Sequence, residues 1–439
     1  MDAHDWAFAN IARRVASRVA DEFLCELHFK DDYEDEQLYR MARVTLGTGY
    51  DLVHFFTRMA PNEFLLDPAY LPFLVAEESL DALIDRYLAQ PITLSVHDHL
   101  FLEPEYAEGR RLLFGACAVG YHVSSKRLGR IYQGLADVPP PDAVIEDGVD
   151  QEMFRPAELG RLADADRELV VGWAGNSRWN QEGDDATDYK GLRTIIQPAV
   201  ETLAARGIRV RGHYRDRAEA WLPYADVPAY FATIDAYVCA SDTEGTATPV
   251  LEAMACGLPV VSTDVGIVPE LFGPRQREFL LPERSPESLS IALERLAGDP
   301  ELRVALSREN LERIRAWTWE ATAERWRGFF REILAHRCGV SSQGRVCCDR
   351  DGRRTRLREA AIDGALSTSR RLIGDQRILR DSLDFASGEL EDAVYWANDV
   401  ERRLAEVTAE RDELRRSLVP WRVRHGARRI SRAAARRRT

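Results

Sequence analysis

Apolar residues in the first 150 positions gather into short runs, "YDLVHFF" (50–56), "PITLSVHD" (91–98) and "CAVGYHVSS" (117–125), separated by helix-period stretches such as "LVAEESLDALIDRYLAQ". Short buried runs alternating with helices predict βαβ units on a parallel sheet. The polar, proline-bearing "PAELGRLADADREL" (156–169) reads as a connection. A second alternation then begins, with strands expected in "LVVGWAG" (169–175), "IRVRGHY" (208–214), "DAYVCAS" (235–241) and "LPVVSTDVG" (258–266). The pattern predicts an α/β protein of two Rossmann-like domains facing across a cleft, with ligands beyond the carboxyl ends of the strands. From 300 to 336 the pattern is helical throughout and is expected to close the lobes.

Beyond the lobes the periodicity changes. Residues 338–375 are Arg- and Ser-rich without a sustained period and read as a linker. Leu379, Leu383, Ala386, Leu390, Ala393, Ala397, Val400, Leu404, Val407, Leu414 and Leu418 then alternate by fours and threes, interrupted only by Arg411 at one core position. That seam predicts a C-terminal helical coiled coil over 376–418, roughly 60 Å long, through which the protein could form an oligomer. The expected organisation is thus 1–155, 167–300, closing helices 301–337, linker 338–375, coiled coil 376–418 and tail 419–439.

At 439 residues, with 45% hydrophobic and 30% charged content, the chain has the length and balance of a two-domain soluble enzyme. No run of eighteen apolar residues occurs and the N-terminus lacks the apolar core of a signal peptide, so a cytoplasmic location is expected. The seven cysteines show no disulfide framework, and Cys338, Cys347 and Cys348 lack the spacing of a structural zinc site. The net charge of −13 conceals an asymmetry: after Glu413 no acidic residue follows, while ten arginines do. An acidic body argues against nucleic acid as a partner, and the tail "RRSLVPWRVRHGARRISRAAARRRT" suits an anionic membrane surface, which places the protein peripherally at the inner face of the plasma membrane.

The chemistry is concentrated in "SDTEGTATPVLEAMACGLPVVSTDVG" (241–266). A strand ends, a small-residue loop follows, Pro249 suits the first turn of a helix and Gly257 ends it. Strand, loop and helix N-terminus form an anion site, with diphosphate the obvious occupant. Glu244 and Glu252 flank it, and would repel the anion unless they face hydroxyls of the same ligand. A ligand with a phosphate centre and a sugar at each end, a nucleotide-sugar, satisfies both.

This signature, with "VGWAGNSRWNQEGDDATDYKGL" (171–192), "YFATIDAYVCAS" and "VIEDGVDQEMFRP" (144–156), resembles glycosyltransferase family 4, retaining enzymes of the GT-B fold. The resemblance covers most of residues 1–335 and is more specific in the second lobe. It implies that Glu244 holds the transferred sugar, Glu252 the nucleotide ribose and Lys190 the donor diphosphate, with His97 of "SVHDH" near the reacting carbon. Gly245, Thr246, Thr248, Pro249 and Val250 form the phosphate-facing loop, and the N–H groups of 245–250 stabilise the leaving group. Asn176 stands where many members place an arginine, and Arg178 is the substitute expected here. Asp147 of "EDGVD" replaces the common asparagine. His97, Asp98 and His99 are expected to hold no metal, and no cofactor is implied beyond the nucleotide-sugar substrate.

The implied function is transfer of a sugar, as a retaining hexosyltransferase, to a glycan or lipid-linked hydroxyl acceptor in cell-surface polysaccharide synthesis. The alternatives are a catalytically impaired GT-B scaffold and a GT-B nucleotide-sugar epimerase. A first lobe of this family opens on a buried strand and a Gly-rich turn. Here "DWAFANIARRVASRV" opens the chain, so either the start lies upstream or the lobe lacks an edge of its acceptor site.

The tail reading predicts that deletion of 415–439 abolishes co-sedimentation with vesicles of anionic lipid, since each basic residue near such a surface contributes about 1 kcal/mol. Unchanged co-sedimentation refutes it.

Overall fold

A computed structural model describes residues 7–29, 32, 49–57, 80–179, 187–220, 222–335 and 352–361. The expected coiled coil and basic tail, and most of the expected linker, lie outside the described residues.

The first lobe is a parallel sheet in the order β1 (Val53–Phe55), β2 (Ile92–Val96), β3 (Gly120–Val123) and β4 (Ala143–Val144). The three apolar runs read from the sequence each contain one of its strands. Their alternation divides the sheet into two unlike faces. Phe55, Leu94, Val96, Tyr121 and Val123 pack into an apolar core with Ile84 and Tyr87 of helix α2 (Leu80–Ala89) and Leu128 of α3 (Lys126–Gln133). The opposite face carries a polar row: His54 bonds Thr93 Oγ1 at 2.9 Å and Ser95 Oγ at 2.8 Å, and Ser95 Oγ meets His122 Nε2 at 2.6 Å. Burial away from water is tolerated because these atoms bond one another; His122 Nδ1 is left without a partner among the described residues.

The second lobe repeats the arrangement in the order β6-β5-β7-β8, all parallel, from β5 (Leu169–Gly175), β6 (Val210–Asp216), β7 (Ala236–Cys239) and β8 (Val260–Ser262). Its strands are flanked on one face by α4 (Gln197–Ala205) and α6 (Pro286–Gly298), and on the other by α5 (Thr248–Ala255). Both faces of a parallel sheet must be covered, which explains the near-continuous apolar runs in β5 and β7. The connection 156–169 is clamped down by Arg303, whose buried guanidinium donates to the carbonyls of Leu162 at 2.9 Å and Asp164 at 2.7 Å.

The stretch 300–336 departs from the expectation of an unbroken helix. It forms α7 (Pro300–Arg313) and α8 (Trp319–Ala335), with an intervening 3-10 turn and a break at Trp317 and Thr318. The break has a cause in the fold. Thr318 forms an isolated parallel bridge with Val149, whose N–H donates to Trp317 O at 3.0 Å, so two crossings between the lobes run side by side. Helix α8 then returns to the first lobe. Trp326 lies edge-on to His54 and His122, at centroid distances of 5.0 and 4.5 Å, and roofs the polar row with Phe329 and Phe330. The opening helix α1 (Ala7–Val19) packs along α8 through Ile11, Ala12 and Val15 and is tied to it by Arg18–Glu320 at 2.9 Å.

Part of the expected linker is structured. Residues 352–361 form a helix, α9, docked on the first lobe. Leu357 and Ala361 enter its apolar core, and the buried Arg353 guanidinium donates to Ala116 O at 2.8 Å and Cys117 O at 3.1 Å. A stretch of arginines reads as solvated chain from composition alone. Here one guanidinium satisfies two carbonyls at a helix end and two others, Arg354 and Arg358, face Asp81.

Burial holds His54 down at about 3 and His97 at about 4, with the charge of a neighbouring histidine adding to the effect at His54, and the same causes hold His122 well below the usual histidine value. These histidines stay neutral in the fold while the unfolded chain takes up protons below about pH 6.5, so their contribution is present above that pH and lost as pH falls towards 4. The slope approaches roughly 1.4 kcal/mol per pH unit for each. Thermal unfolding should therefore shift to markedly lower temperature between pH 6.5 and 4, and His54→Asn should flatten that dependence.

Candidate active site

The carboxyl ends of β5, β6 and β7 face the first lobe across a cavity of about 370 Å³, within the usual size of small-molecule sites. The loop leaving β7 forms its floor. Gly245 is required there by close approach: a Cβ would stand 2.3 Å from Ser124 Oγ and 2.5 Å from His97 O, both in the first lobe. Ala247, next in the loop but one, sits in the left-handed region at φ 57° as the N-cap of α5. Strain of this kind in a non-glycine residue costs about 1–3 kcal/mol and is found where function holds a backbone in place.

That backbone leaves donors free. Among the described residues the N–H groups of Gly245, Thr246, Ala247 and Thr248 have no protein acceptor, and all four residues line the cavity. Two residues of the expected oxyanion-type loop drop out: Pro249 has no N–H, and Val250 N donates inward to Ala247 O at 2.8 Å. Both still line the cavity. The positive end of α5 and four free N–H groups suit an anion.

Lys190 and Glu244 meet directly at this loop, Nζ to Oε1 at 2.6 Å, and Ser241 Oγ donates to the same oxygen at 2.7 Å. The lysine lies over the Trp179 ring at 4.6 Å. Its position is fixed by the turn that follows. Gly191 has φ +72° and its Cβ site is filled by Ala240 O, while Asp188 accepts from Gly191 N, Arg193 N and Thr194 N at 2.8–2.9 Å. The lysine and the glutamate neutralise each other.

Glu252 lies on α5 with only 4% of its surface exposed, and Tyr224 Oη donates to its Oε1 at 2.8 Å. Burial raises its carboxyl to about 8, opposed by the Tyr224 bond and the nearby Arg14 charge. Asp147 is buried beside Thr246 and raised to about 7, mainly by the same loss of water. His97, directly after β2, has a buried Nε2 with no protein partner among the described residues, and its ring lies 4.9 Å from that of Phe8, centroid to centroid. His99 Nδ1 meets Thr243 Oγ1 across the lobes at 3.0 Å. Among the described residues no group of three or more His, Cys, Asp or Glu could hold a metal ion.

The fold thus gathers His97, Asn176, Lys190, Glu244, Gly245, Thr246, Thr248, Pro249, Val250 and Glu252 around one cavity. It does not bring Arg178, which is exposed and outside the lining; the Asn176 side chain instead accepts from Arg178 N at 3.0 Å to shape the turn. The cations that line the cavity are Lys190, Arg215 and Arg217 from the second lobe and Arg14 from α1. Tyr224, Arg14 and Phe8 carry no motif. Only the amphipathic period of "DWAFANIARRVASRV" hinted that one face of that helix is buried.

Residues 220–313 match the family described as "Glycosyl transferases group 1". The chain is 28% identical over 262 residues to the D-inositol 3-phosphate glycosyltransferase of Saccharomonospora viridis, covering 53% of this chain and 58% of that one. It is 27% identical over 195 residues to the lipopolysaccharide core biosynthesis mannosyltransferase LpcC of Rhizobium leguminosarum, covering 40% and 55%. The chain therefore spans little more than half the length of these relatives. The structure of HepE from Anabaena in complex with UDP and glucose superposes with a TM-score of 0.51 at 14% identity, over 74% of this chain and 96% of that one. The protein has the GT-B fold, and residues 220–313 of its second lobe match the group 1 glycosyltransferase family model.

Lys190→Ala should leave Glu244 without its counter-charge and weaken binding of a nucleoside diphosphate by at least tenfold, read by calorimetry, with little change in melting temperature.

Proposed function

We propose that the protein transfers a hexosyl group from a nucleotide-sugar to a hydroxyl of a glycan or lipid-linked acceptor, with retention of configuration, in the synthesis of cell-surface polysaccharide. The observation that carries this reading is the Lys190–Glu244 pair set beside four free N–H groups and followed one helical turn later by Glu252. The three parts match the three parts of a nucleotide-sugar. Electrostatics assigns the diphosphate to Lys190 and the head of α5, and hydrogen bonding assigns the hydroxyls of sugar and ribose to the carboxylates.

Bond cleavage places new charge on the leaving diphosphate, where the fixed N–H dipoles and Lys190 stabilise it without reorganising. The first lobe contributes the unpartnered Nε2 of His97, held neutral by burial and so able to donate or accept a hydrogen bond without charge. The acceptor enters between this histidine and α1. The named activities of the two relatives, in inositol phosphate and lipopolysaccharide glycosylation, support a glycan or lipid-linked acceptor.

A thermal-shift screen of UDP-, GDP-, ADP- and dTDP-sugars should single out one nucleoside. With that donor, Glu244→Gln should lower turnover by at least a hundredfold while nucleoside diphosphate binding persists. Wild-type turnover in the variant would remove Glu244 from the site.

A further inference from the structure

Glu252 faces a demand that the other carboxylates of the cleft do not. It must be an acceptor for ribose hydroxyls, yet it is 4% exposed on the buried side of α5, where an ionised carboxyl is costly. Among the described residues one protein group bonds it directly: the hydroxyl of Tyr224, 2.8 Å from Oε1. Tyr224 lies in the 3-10 turn Tyr224–Asp226 and is itself fixed by edge-on packing against Phe154, at a centroid distance of 5.8 Å. Both residues line the cavity, so this bond is made at the site's wall and not behind it.

We propose that Tyr224 is a positioning residue for the donor: its hydroxyl occupies Oε1 of Glu252, fixing the carboxylate and leaving Oε2 for a ribose hydroxyl. The proposal rests on the nucleotide-sugar reading above and adds to it a residue that no motif marks. A carboxylate can accept several hydrogen bonds, so tyrosine and ribose need not compete. The bond also favours the charged form of the acid, which burial opposes. The charged and titratable groups around Glu252 are few. Arg14 of α1 acts in the same direction as Tyr224; Cys256, the C-cap of α5, feels the Glu252 charge; Asp150, paired with Arg14, acts on Tyr224. Of these only Tyr224 is bonded to the carboxyl.

The test titrates the full-length protein with UDP, GDP and ADP by calorimetry between pH 6.5 and 9.5, taking forward the nucleotide that binds tightest. Wild-type affinity should rise with pH as Glu252 ionises. In Tyr224→Phe, which keeps the ring against Phe154, the midpoint of that rise should move up by about one unit, so that affinity at pH 7.5 falls roughly tenfold and recovers to near wild type at pH 9.5. Glu252→Gln should abolish the rise, and adding Tyr224→Phe to it should cost less than a further twofold. An unmoved midpoint in Tyr224→Phe, or a full additive loss on the Glu252→Gln background, overturns the positioning role while leaving the donor reading intact. Failure of the wild type to bind any of the three, or dTDP, overturns both.

Discussion

The architecture turns on a single crossing point. At Val149 and Thr318 the chain passes between lobes twice, side by side, joined by the backbone bond from Val149 to Trp317. Gly148 makes the contact this close, since a Cβ there would stand 2.5 Å from the Thr318 backbone. Everything that defines the cleft radiates from this point. The outgoing strand carries Asp147 into the wall, and the returning helix α8 begins with Trp319, also in the lining. Further interlobe contacts, among them Gly245 against His97 O, Thr243 against His99 and the ion pairs Lys126–Glu270 and Arg127–Asp264, lie along the same interface.

Within the cleft the dominant problem is electrostatic. A site for a diphosphate cannot present bare carboxylates to it, yet a sugar and a ribose are best held by carboxylates. The protein resolves this by a different means at each. Glu244 is neutralised by a lysine that the diphosphate itself would claim, whereas Glu252 is withdrawn from water and steadied by a neutral hydroxyl. In the proposed function the first is a pair that would exchange partners on binding the donor. The second is a fixture.

The lobes and the centre of the site were legible because period and motif are local. β5 runs over the seven residues read from "LVVGWAG", and the strand-loop-helix of 236–255 follows from an apolar run, small residues and a proline. Three features were not. Arg178 was expected in the site because it neighbours Asn176 in sequence, but the asparagine side chain closes an Asx turn that faces Arg178 outward. The break at Trp317 was hidden because a helical period does not record a partner strand 168 positions earlier, at Val149. Tyr224 reaches Glu252 across a sheet edge, and nothing in "LPYADVP" announces it.

Helix α8 has a consequence for the order in which the protein can assemble. Trp326, Phe329 and Phe330 roof the histidine row of a sheet whose strands end at Val144, so the first lobe is a discontinuous domain. A chain grows from its N-terminus, at about 5–20 residues per second, and domains fold as units. The second lobe, contiguous from 156 to 316, is complete while the first still lacks its roof, and α9 arrives later still. The lobe begun first is therefore the one finished last, and its buried histidines stay open to water until the second lobe has been made.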